Sequence, residues 1–302
     1  MRQSPQLTRK LVYGGYKLVS YWLAFRARFD DKPLIIDSKH IKVMGLDFNS
    51  RLGVAAGFDR HGSTGRYLGY LGFGHVEIGT FTRRPQAGNN RGIDILANSR
   101  LKQSTTILGI NIGLNMNVAA KDIVDDLQYC IRQAWTHADY ITLNLTNPAA
   151  KALFDPKQID LLGQTLYLIK QQQLQLYQET RRYVPVSLKI SLSSAEQSLP
   201  PIIEIIKDFS FDGVILAIDS GKSTSVNMPE KWQQAEQQSR VCMLIKNVSN
   251  FFDGKVAVIS VGGIRHHQHM QQRIDAGASL VQIHTGIIYH RPDRIRNLFI
   301  KD

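Results

Sequence analysis

Two turns late in the chain have the composition of a phosphate-binding site. Gly262 and Gly263 follow an apolar, largely β-branched run that starts at Val256, and such a run is typical of a strand covered on both faces. His284 and Thr285 follow a second apolar run. Glycine lets a backbone turn sharply beside a ligand, and the N–H groups of such turns bind phosphate. A tight turn without a ligand is the alternative interpretation.

Polar side chains end several other apolar runs. The runs themselves are almost wholly apolar, so the polarity is concentrated where predicted strands end. In a parallel barrel these strand ends meet at one face, which carries the ligand site. We therefore expect a polar-ligand site formed by the residues that end predicted strands two to five, namely Thr80, Asn111, Asn144 and Lys189. Polar caps of strand ends that bind no ligand are the alternative.

Eight short apolar runs separated by helical patterns predict the elements that position these residues. The predicted strands are residues 52–56, 75–79, 106–110, 140–143, 185–188, 213–218, 256–261 and 280–283. The clearest helical patterns lie at residues 64–71, 118–138, 161–182, 199–209, 238–252 and 267–276. This alternation predicts an α/β fold, a (β/α)8 TIM barrel, whose phosphate site follows strands seven and eight. The pattern up to residues 44–48 predicts a small antiparallel hairpin below the barrel.

The composition limits the classes of function. The 302 residues carry a formal net charge of +12, a basic excess that suits nucleic acid, an anionic membrane surface or an anionic ligand. Because no zinc-finger, RNA-recognition or arginine-rich pattern occurs, we expect no nucleic-acid partner. Cys130 and Cys242 are isolated, so we expect neither a metal site nor a disulfide. No signal peptide is recognisable, and we expect a cytoplasmic protein.

Residues 1–32 predict a short N-terminal helical extension to the barrel of residues 33–302. The segment is basic and rich in aromatic residues, and one face of the predicted helix carries Leu11, Leu18, Trp22, Phe25 and Phe29. A basic amphipathic helix with aromatic residues suits an anionic membrane surface. The protein would then lie peripherally on the inner face of the cell membrane, because the apolar run is too short to span a bilayer. Packing on the barrel or on a second subunit is the alternative.

Seven segments together carry a family resemblance. They read GVAAGFD at residues 53–59, GFGHVEIGT at 72–80, RPQAGN at 84–89, LGINIG at 108–113, VPVSLKI at 184–190, VGGI at 261–264 and AGASLVQI at 276–283. In this order they resemble the membrane-associated, class 2 (quinone-dependent) dihydroorotate dehydrogenases. The resemblance implies an FMN oxidoreductase that converts dihydroorotate to orotate in pyrimidine biosynthesis, with a quinone as the candidate electron acceptor.

The resemblance also assigns the flavin side of the site. The residues that match family positions at the FMN are Ala55, Ala56, Gly57, Arg60, Thr80, Asn111, Asn144, Lys189, Gly262, Gly263, His284 and Thr285. Among them, Lys189 matches the lysine at the pyrimidine edge of the ring, where a cation stabilises the anionic reduced flavin. His284 replaces a tyrosine at the phosphate. Arg60 replaces a lysine that reaches both flavin and substrate, and it keeps the charge but not the shape.

The substrate side departs from the family pattern after predicted strand four. Family members carry Asn-x-Ser-Ser-Pro-Asn, whereas residues 144–149 read NLTNPA. Asn147 stands at the position of the serine base, and an amide has no useful basicity near neutral pH. Ala149 has lost the amide that holds the substrate. Thr146 carries a hydroxyl, but strand alternation is expected to point it away from the site.

Three further departures affect the same side. The family's Asn-Arg-Met-Gly-Phe-Asn segment has no counterpart in residues 91–105, Ile218 replaces a substrate-binding asparagine, and the glycine-rich loop after strand six is not recognisable in residues 220–233. Each unpaired buried polar group costs about 1–3 kcal/mol. We therefore expect an unknown changed substrate or very low activity on dihydroorotate. A non-catalytic scaffold or regulatory partner, and an active enzyme with Thr146 or a nearby residue as base, are the alternatives.

Overall fold

Eight parallel strands form a closed barrel, as the sequence predicts. The computed structural model describes residues 5–26, 40–86, 90–98, 106–154, 159–194, 198–218, 234–284 and 287. The barrel strands are β3 (Leu52–Asp59), β4 (His75–Phe81), β5 (Ile107–Ile112), β6 (Tyr140–Asn144), β7 (Val186–Leu192), β8 (Gly213–Ile218), β9 (Ala257–Val261) and β10 (Leu280–Ile283). They pair in chain order, and β10 closes the ring against β3. The (β/α)8 TIM barrel is therefore confirmed.

The connecting helices largely occupy the predicted segments. They are α1 (Pro5–Arg26), α2 (Ile123–Trp135), α3 (Ile159–Thr180), α4 (Ile202–Asp208), α5 (Ala235–Phe252) and α6 (His267–Asp275), with short 3₁₀ helices at Gly65–Leu71, Ile93–Asn98, Ala120–Asp122 and Pro148–Phe154. The segment at residues 64–71 is a 3₁₀ helix because its glycines weaken an α-helix, and it ends at Gly72 with φ +97°. Residues 118–138 form α2 only from Ile123 onwards.

The lower end of the barrel is closed by the predicted hairpin. Strands β1 (Ile41–Val43) and β2 (Leu46–Phe48) pair antiparallel. Val43 and Phe48 from this hairpin pack with Ile215, Ile259 and Leu280 of the barrel strands in one buried apolar cluster. Apolar side chains therefore fill this end of the barrel, whereas the polar side chains described below lie toward the opposite end.

Helix α1 packs on the barrel with one face and leaves the predicted apolar face exposed. Tyr16 and Leu23 are buried against the 3₁₀ helix Gly65–Leu71 and its neighbours. The face chosen from the sequence is instead in solvent, with exposed fractions of 60% for Leu11, 73% for Leu18, 57% for Trp22 and 58% for Phe25. Phe29 lies outside the described residues. Within the described part of the chain, no helix has the length and apolar content needed to cross a membrane.

Candidate active site

Neighbouring strand ends bring four of the predicted site residues together. Asn144 on β6 is in register with Lys189 on β7, and Asn111 on β5 is in register with Gly79, which precedes Thr80 on β4. The Asn144 amide donates to Thr80 Oγ1 at 3.0 Å, and the Thr80 hydroxyl donates to Asn111 Oδ1 at 2.7 Å. Thr80, Asn111 and Asn144 therefore form a hydrogen-bonded row, and Lys189 lies on the neighbouring strand beside Asn144.

A fully buried carboxylate lies beneath this row. Glu77 on β4 accepts hydrogen bonds from Asn111 Nδ2 at 3.2 Å, Tyr140 OH at 3.1 Å, Thr142 Oγ1 at 2.9 Å and Gln282 Nε2 at 3.1 Å. Sequence reasoning gave Glu77 no role, although an acidic residue within an apolar strand is a signal for one. Burial lowers the pKa of the Lys189 ammonium, and the Glu77 carboxylate opposes that shift. Glu77 and Lys189 thus partly compensate each other's charge.

The two asparagines of the row each keep a hydrogen-bond donor for a ligand. Asn144 Oδ1 accepts from the backbone N–H and the hydroxyl of Thr146, and Asn111 Oδ1 accepts from Thr80. Each side-chain amide carries two N–H groups, of which one is used by Thr80 or Glu77. The remaining N–H groups have no acceptor within the described part of the chain. Together with the Lys189 ammonium, they suit the oxygen and nitrogen acceptors of a flavin ring.

The glycine turn after β9 has the features of a phosphate cradle. Gly262 and Gly263 have φ of +100° and +70°, conformations that favour glycine. Among the described residues, a Cβ at Gly262 would meet no atom closer than the Ile218 carbonyl oxygen at 4.0 Å, so none of them fills the space beside this turn. The N–H groups of Gly263 and Ile264 have no acceptor among the described residues. This turn fits the phosphate of FMN.

The turn within β3 faces the end of β10. Gly57 has φ +97°, and a Cβ there would lie 3.1 Å from His284 Nε2. Ala55 is buried and precedes Ala56 on the same strand. The first and last barrel strands therefore bring Gly57 and His284 into contact. Thr285 and the loop at residues 219–233 lie outside the described residues.

The turn that follows β3 is held by a buried carboxylate. Asp59 accepts hydrogen bonds from the backbone N–H groups of Ser63 at 3.0 Å, Thr64 at 2.9 Å and Gly65 at 2.6 Å. The Tyr13 hydroxyl of α1 donates to it at 3.0 Å. Arg60 follows directly and is exposed. Asp59 therefore holds both helix α1, through Tyr13, and the turn that carries Arg60.

Asn147, which the sequence resemblance places at the family's base position, caps a 3₁₀ helix. Its Nδ2 donates to the Leu114 carbonyl at 3.0 Å, and its Oδ1 accepts from the Ala150 N–H at 2.9 Å, at the start of the 3₁₀ helix Pro148–Phe154. Thr146 was expected to point away from the site. Its hydroxyl instead donates to Asn144 Oδ1 at 2.7 Å, so that expectation was wrong and its proton is committed.

Ala149 and Ile218, two positions that the resemblance assigns to the substrate side, carry apolar side chains. Ala149 packs against the apolar core, and Ile218 at the end of β8 is buried. Among the residues that the structure describes, no cluster of three or more His, Cys, Asp or Glu side chains could hold a metal ion. Ala149 and Ile218 therefore add no polar group to those of Lys189, Asn111 and Asn144.

Sequence comparison links the chain to one family over nearly its whole length. The family described as Dihydroorotate dehydrogenase matches residues 38–92 and 89–300. Two relatives, each named Dihydroorotate dehydrogenase (quinone), come from Methylobacillus flagellatus and Acinetobacter baylyi. The first is 35% identical over 84% of this chain and 84% of its own length. The second is 32% identical over 86% of each chain.

Solved structures support the fold. The ligand-free DHODH from Eimeria tenella matches with a TM-score of 0.74 and 23% identity, over 98% of this chain and 93% of its own. The complex of the same organism's DHODH with ferulenol has a TM-score of 0.70 and 22% identity, over 95% and 92% of the two chains. At these identities the likeness shows that the architecture is shared.

Proposed function

The chain belongs to the dihydroorotate dehydrogenase family and to its class 2, quinone-dependent type, and we propose from this premise that it is an FMN-dependent oxidoreductase with an altered substrate side. The observation that carries the proposal is the row of Lys189, Asn111 and Asn144. It presents spare donors beside a charge-compensated ammonium. The turn at Gly262, where the N–H groups of Gly263 and Ile264 have no acceptor among the described residues, supports the same ligand.

FMN would supply the two-electron acceptor for oxidation of the substrate. The chain's own groups would bind and orient it: Lys189 at the electron-rich edge, the two asparagine amides at ring acceptors, and the turn after β9 at the phosphate. Asn147 gives no useful proton acceptor, because an amide is barely basic; its Oδ1 accepts from the Ala150 N–H and its Nδ2 donates to the Leu114 carbonyl. The site therefore holds a cofactor in the family's manner but lacks the family's means of deprotonating dihydroorotate.

The first experiment is the flavin content of the purified protein. We expect a flavin absorption spectrum, with FMN identified after denaturation, and very slow bleaching when the protein is mixed anaerobically with dihydroorotate. A protein that stays colourless after incubation with FMN would refute cofactor binding and favour the scaffold or regulatory role. Bleaching at the rate of an efficient dehydrogenase would show that another group serves as the base.

Restoring a serine at the base position should not restore the parent activity. We expect Asn147→Ser to leave dihydroorotate-driven bleaching within about threefold of the unmodified chain, because Ala149 and Ile218 still offer the substrate no polar contact. Serine can keep the cap, whereas Asn147→Ala should lower the free energy of unfolding by about 0.5–2 kcal/mol. Stopped-flow absorbance and urea unfolding measure the two effects. A large gain from serine alone would contradict the proposed loss of substrate contacts.

We further propose that residues 1–32 form a peripheral membrane anchor on the barrel of residues 33–302, with a quinone as electron acceptor. The support is the exposed apolar stripe of α1 and the name of the relatives. Leu18→Glu with Trp22→Glu should reduce co-sedimentation with anionic vesicles by at least about tenfold, because the two side chains are 73% and 57% exposed and would enter the lipid interface. Met243→Glu, at an equally exposed site on α5, is the control and should bind normally.

A further inference from the structure

Arg273 is a buried cation that has no carboxylate partner among the described residues. It lies on α6, fully buried. One guanidinium nitrogen donates to Gln238 Oε1 at 2.6 Å, while Nε and the other terminal nitrogen have no hydrogen-bond partner. No carboxylate in the described ranges lies within ion-pair distance of it. An uncompensated buried charge costs several kcal/mol, so its presence calls for an anion.

The groups around Arg273 do not supply that anion. Burial raises the pKa of the neighbouring Cys242 thiol, so the thiol remains neutral at physiological pH. Burial lowers the pKa of Arg273 itself to about 10, which leaves the guanidinium protonated. His269 stacks on His266 with ring centroids 3.7 Å apart, and both lie close to Arg265. Every titratable group that acts on His269 is thus a histidine or an arginine.

Hydrogen bonds connect this cluster to the phosphate turn. Gln238, held by Arg273, donates from Nε2 to the Gly263 carbonyl oxygen at 3.0 Å. In a trans peptide the C=O and the following N–H point in opposite directions. Fixing the Gly263 carbonyl toward α5 and α6 therefore turns the N–H of Ile264 away from them, where it has no acceptor within the described residues.

We propose that Arg273 is a positioning residue for the cofactor phosphate, which it serves through Gln238 and through its uncompensated charge. This inference rests on the proposed function, which makes the ligand of the turn FMN. A dianionic phosphate in front of the Gly262–Gly263 turn would supply the anion that the buried guanidinium lacks. The sequence of residues 220–233 shows no recognisable glycine-rich phosphate loop. The charge of Arg273 behind the turn would compensate for the phosphate contacts of that loop.

The test compares FMN with riboflavin, which lacks the phosphate. In the apo-protein, Arg273→Met should weaken FMN binding at least about tenfold, equivalent to about 1.4 kcal/mol, and change riboflavin binding by less than about twofold. The same variant should raise the midpoint of urea unfolding without ligand, because the unpaired charge is gone. Flavin fluorescence quenching gives the affinities. Arg240→Met is the control, since Arg240 is exposed and pairs with Glu236 on α5.

A second pair of variants keeps the test independent of the folding of Arg273→Met. Cys242→Asp places a carboxylate beside the guanidinium, and Cys242→Asn is its nearly isosteric neutral control. The aspartate should weaken FMN but not riboflavin, and the asparagine should weaken neither. If the unmodified protein does not prefer FMN to riboflavin, the proposed function falls and this inference falls with it. If it does prefer FMN and both Arg273→Met and Cys242→Asp keep that preference, the inference alone is overturned.

Discussion

Glu77→Leu is expected to lower the free energy of unfolding of the apo-protein by about 3–5 kcal/mol, the cost of leaving a buried charge without its partner. Lys189 would lose its compensating carboxylate, and the donors from Asn111, Tyr140 and Thr142 would lose their acceptor. Because whole domains have about 5–15 kcal/mol of stability, this one change should remove a large fraction of it. Urea unfolding followed by circular dichroism measures the loss.

Two comparisons show whether charge or shape carries the effect. Glu77→Gln keeps an acceptor but removes the charge, so its loss should fall between those of the leucine variant and the unmodified chain. Glu179→Leu, on the solvent side of α3, should cost less than about 1 kcal/mol, as is usual for a surface ion pair. If the two leucine variants were equally stable, Glu77 would not be the counter-charge of Lys189.

Lys189→Met is expected to lower the two-electron reduction potential of the bound flavin by about 60 mV. Removing one preorganised donor at a site of developing charge costs about 3 kcal/mol, and for a two-electron couple about 30 mV corresponds to 1.4 kcal/mol. Without its ammonium the site would hold the reduced, negatively charged cofactor less tightly. A spectroelectrochemical titration gives the potential directly.

The controls for Lys189 use conservative and distant changes. Lys189→Arg should recover part of the potential, because the charge returns in a different shape. Lys170→Met removes a partly buried lysine that donates to the Ser210 carbonyl away from the site, and it should leave the potential unchanged. If Lys189→Met and the unmodified protein had the same reduction potential, Lys189 would not influence the electronic properties of the flavin.

The barrel itself could be predicted because each of its strands is a short apolar run that ends in glycine or a polar residue. When such runs alternate with helical patterns, they predict a parallel barrel. The topology of that barrel then places the carboxyl ends of the strands at one face. The row of Thr80, Asn111, Asn144 and Lys189 was predictable for the same reason, since parallel strands place their carboxyl ends at one face.

The interactions beneath and behind that row could not be read from the strand pattern. Glu77 accepts hydrogen bonds from residues as distant in sequence as Gln282, and Gln238 connects Arg273 to the Gly262–Gly263 turn. Such networks depend on side-chain direction between elements, which local periodicity does not contain. Asn147 illustrates the point: its sequence position indicated a missing base, and only the structure shows it as a cap.

The packed face of α1 could not be predicted from its sequence. Amphipathic periodicity identifies an apolar stripe but not its partner, and this helix has apolar side chains on two faces. Tyr13 and Tyr16 stack edge-on against Phe58, and Tyr13 is tied to Asp59. These polar–aromatic contacts select the packed face, while the more hydrophobic stripe of Leu18 and Trp22 stays in solvent.

Pairing of the first barrel strand with the last has a consequence for folding during synthesis. Leu52 is in register with Val281, and Gly57 contacts His284 only when β3 and β10 lie side by side. Contacts between segments so far apart in sequence form slowly, and β3 must leave the ribosome long before its partner is synthesised. During that interval its edge is open to the wrong neighbours. The cofactor cradle therefore cannot exist on a nascent chain before ring closure, and flavin capture would report that the barrel has closed.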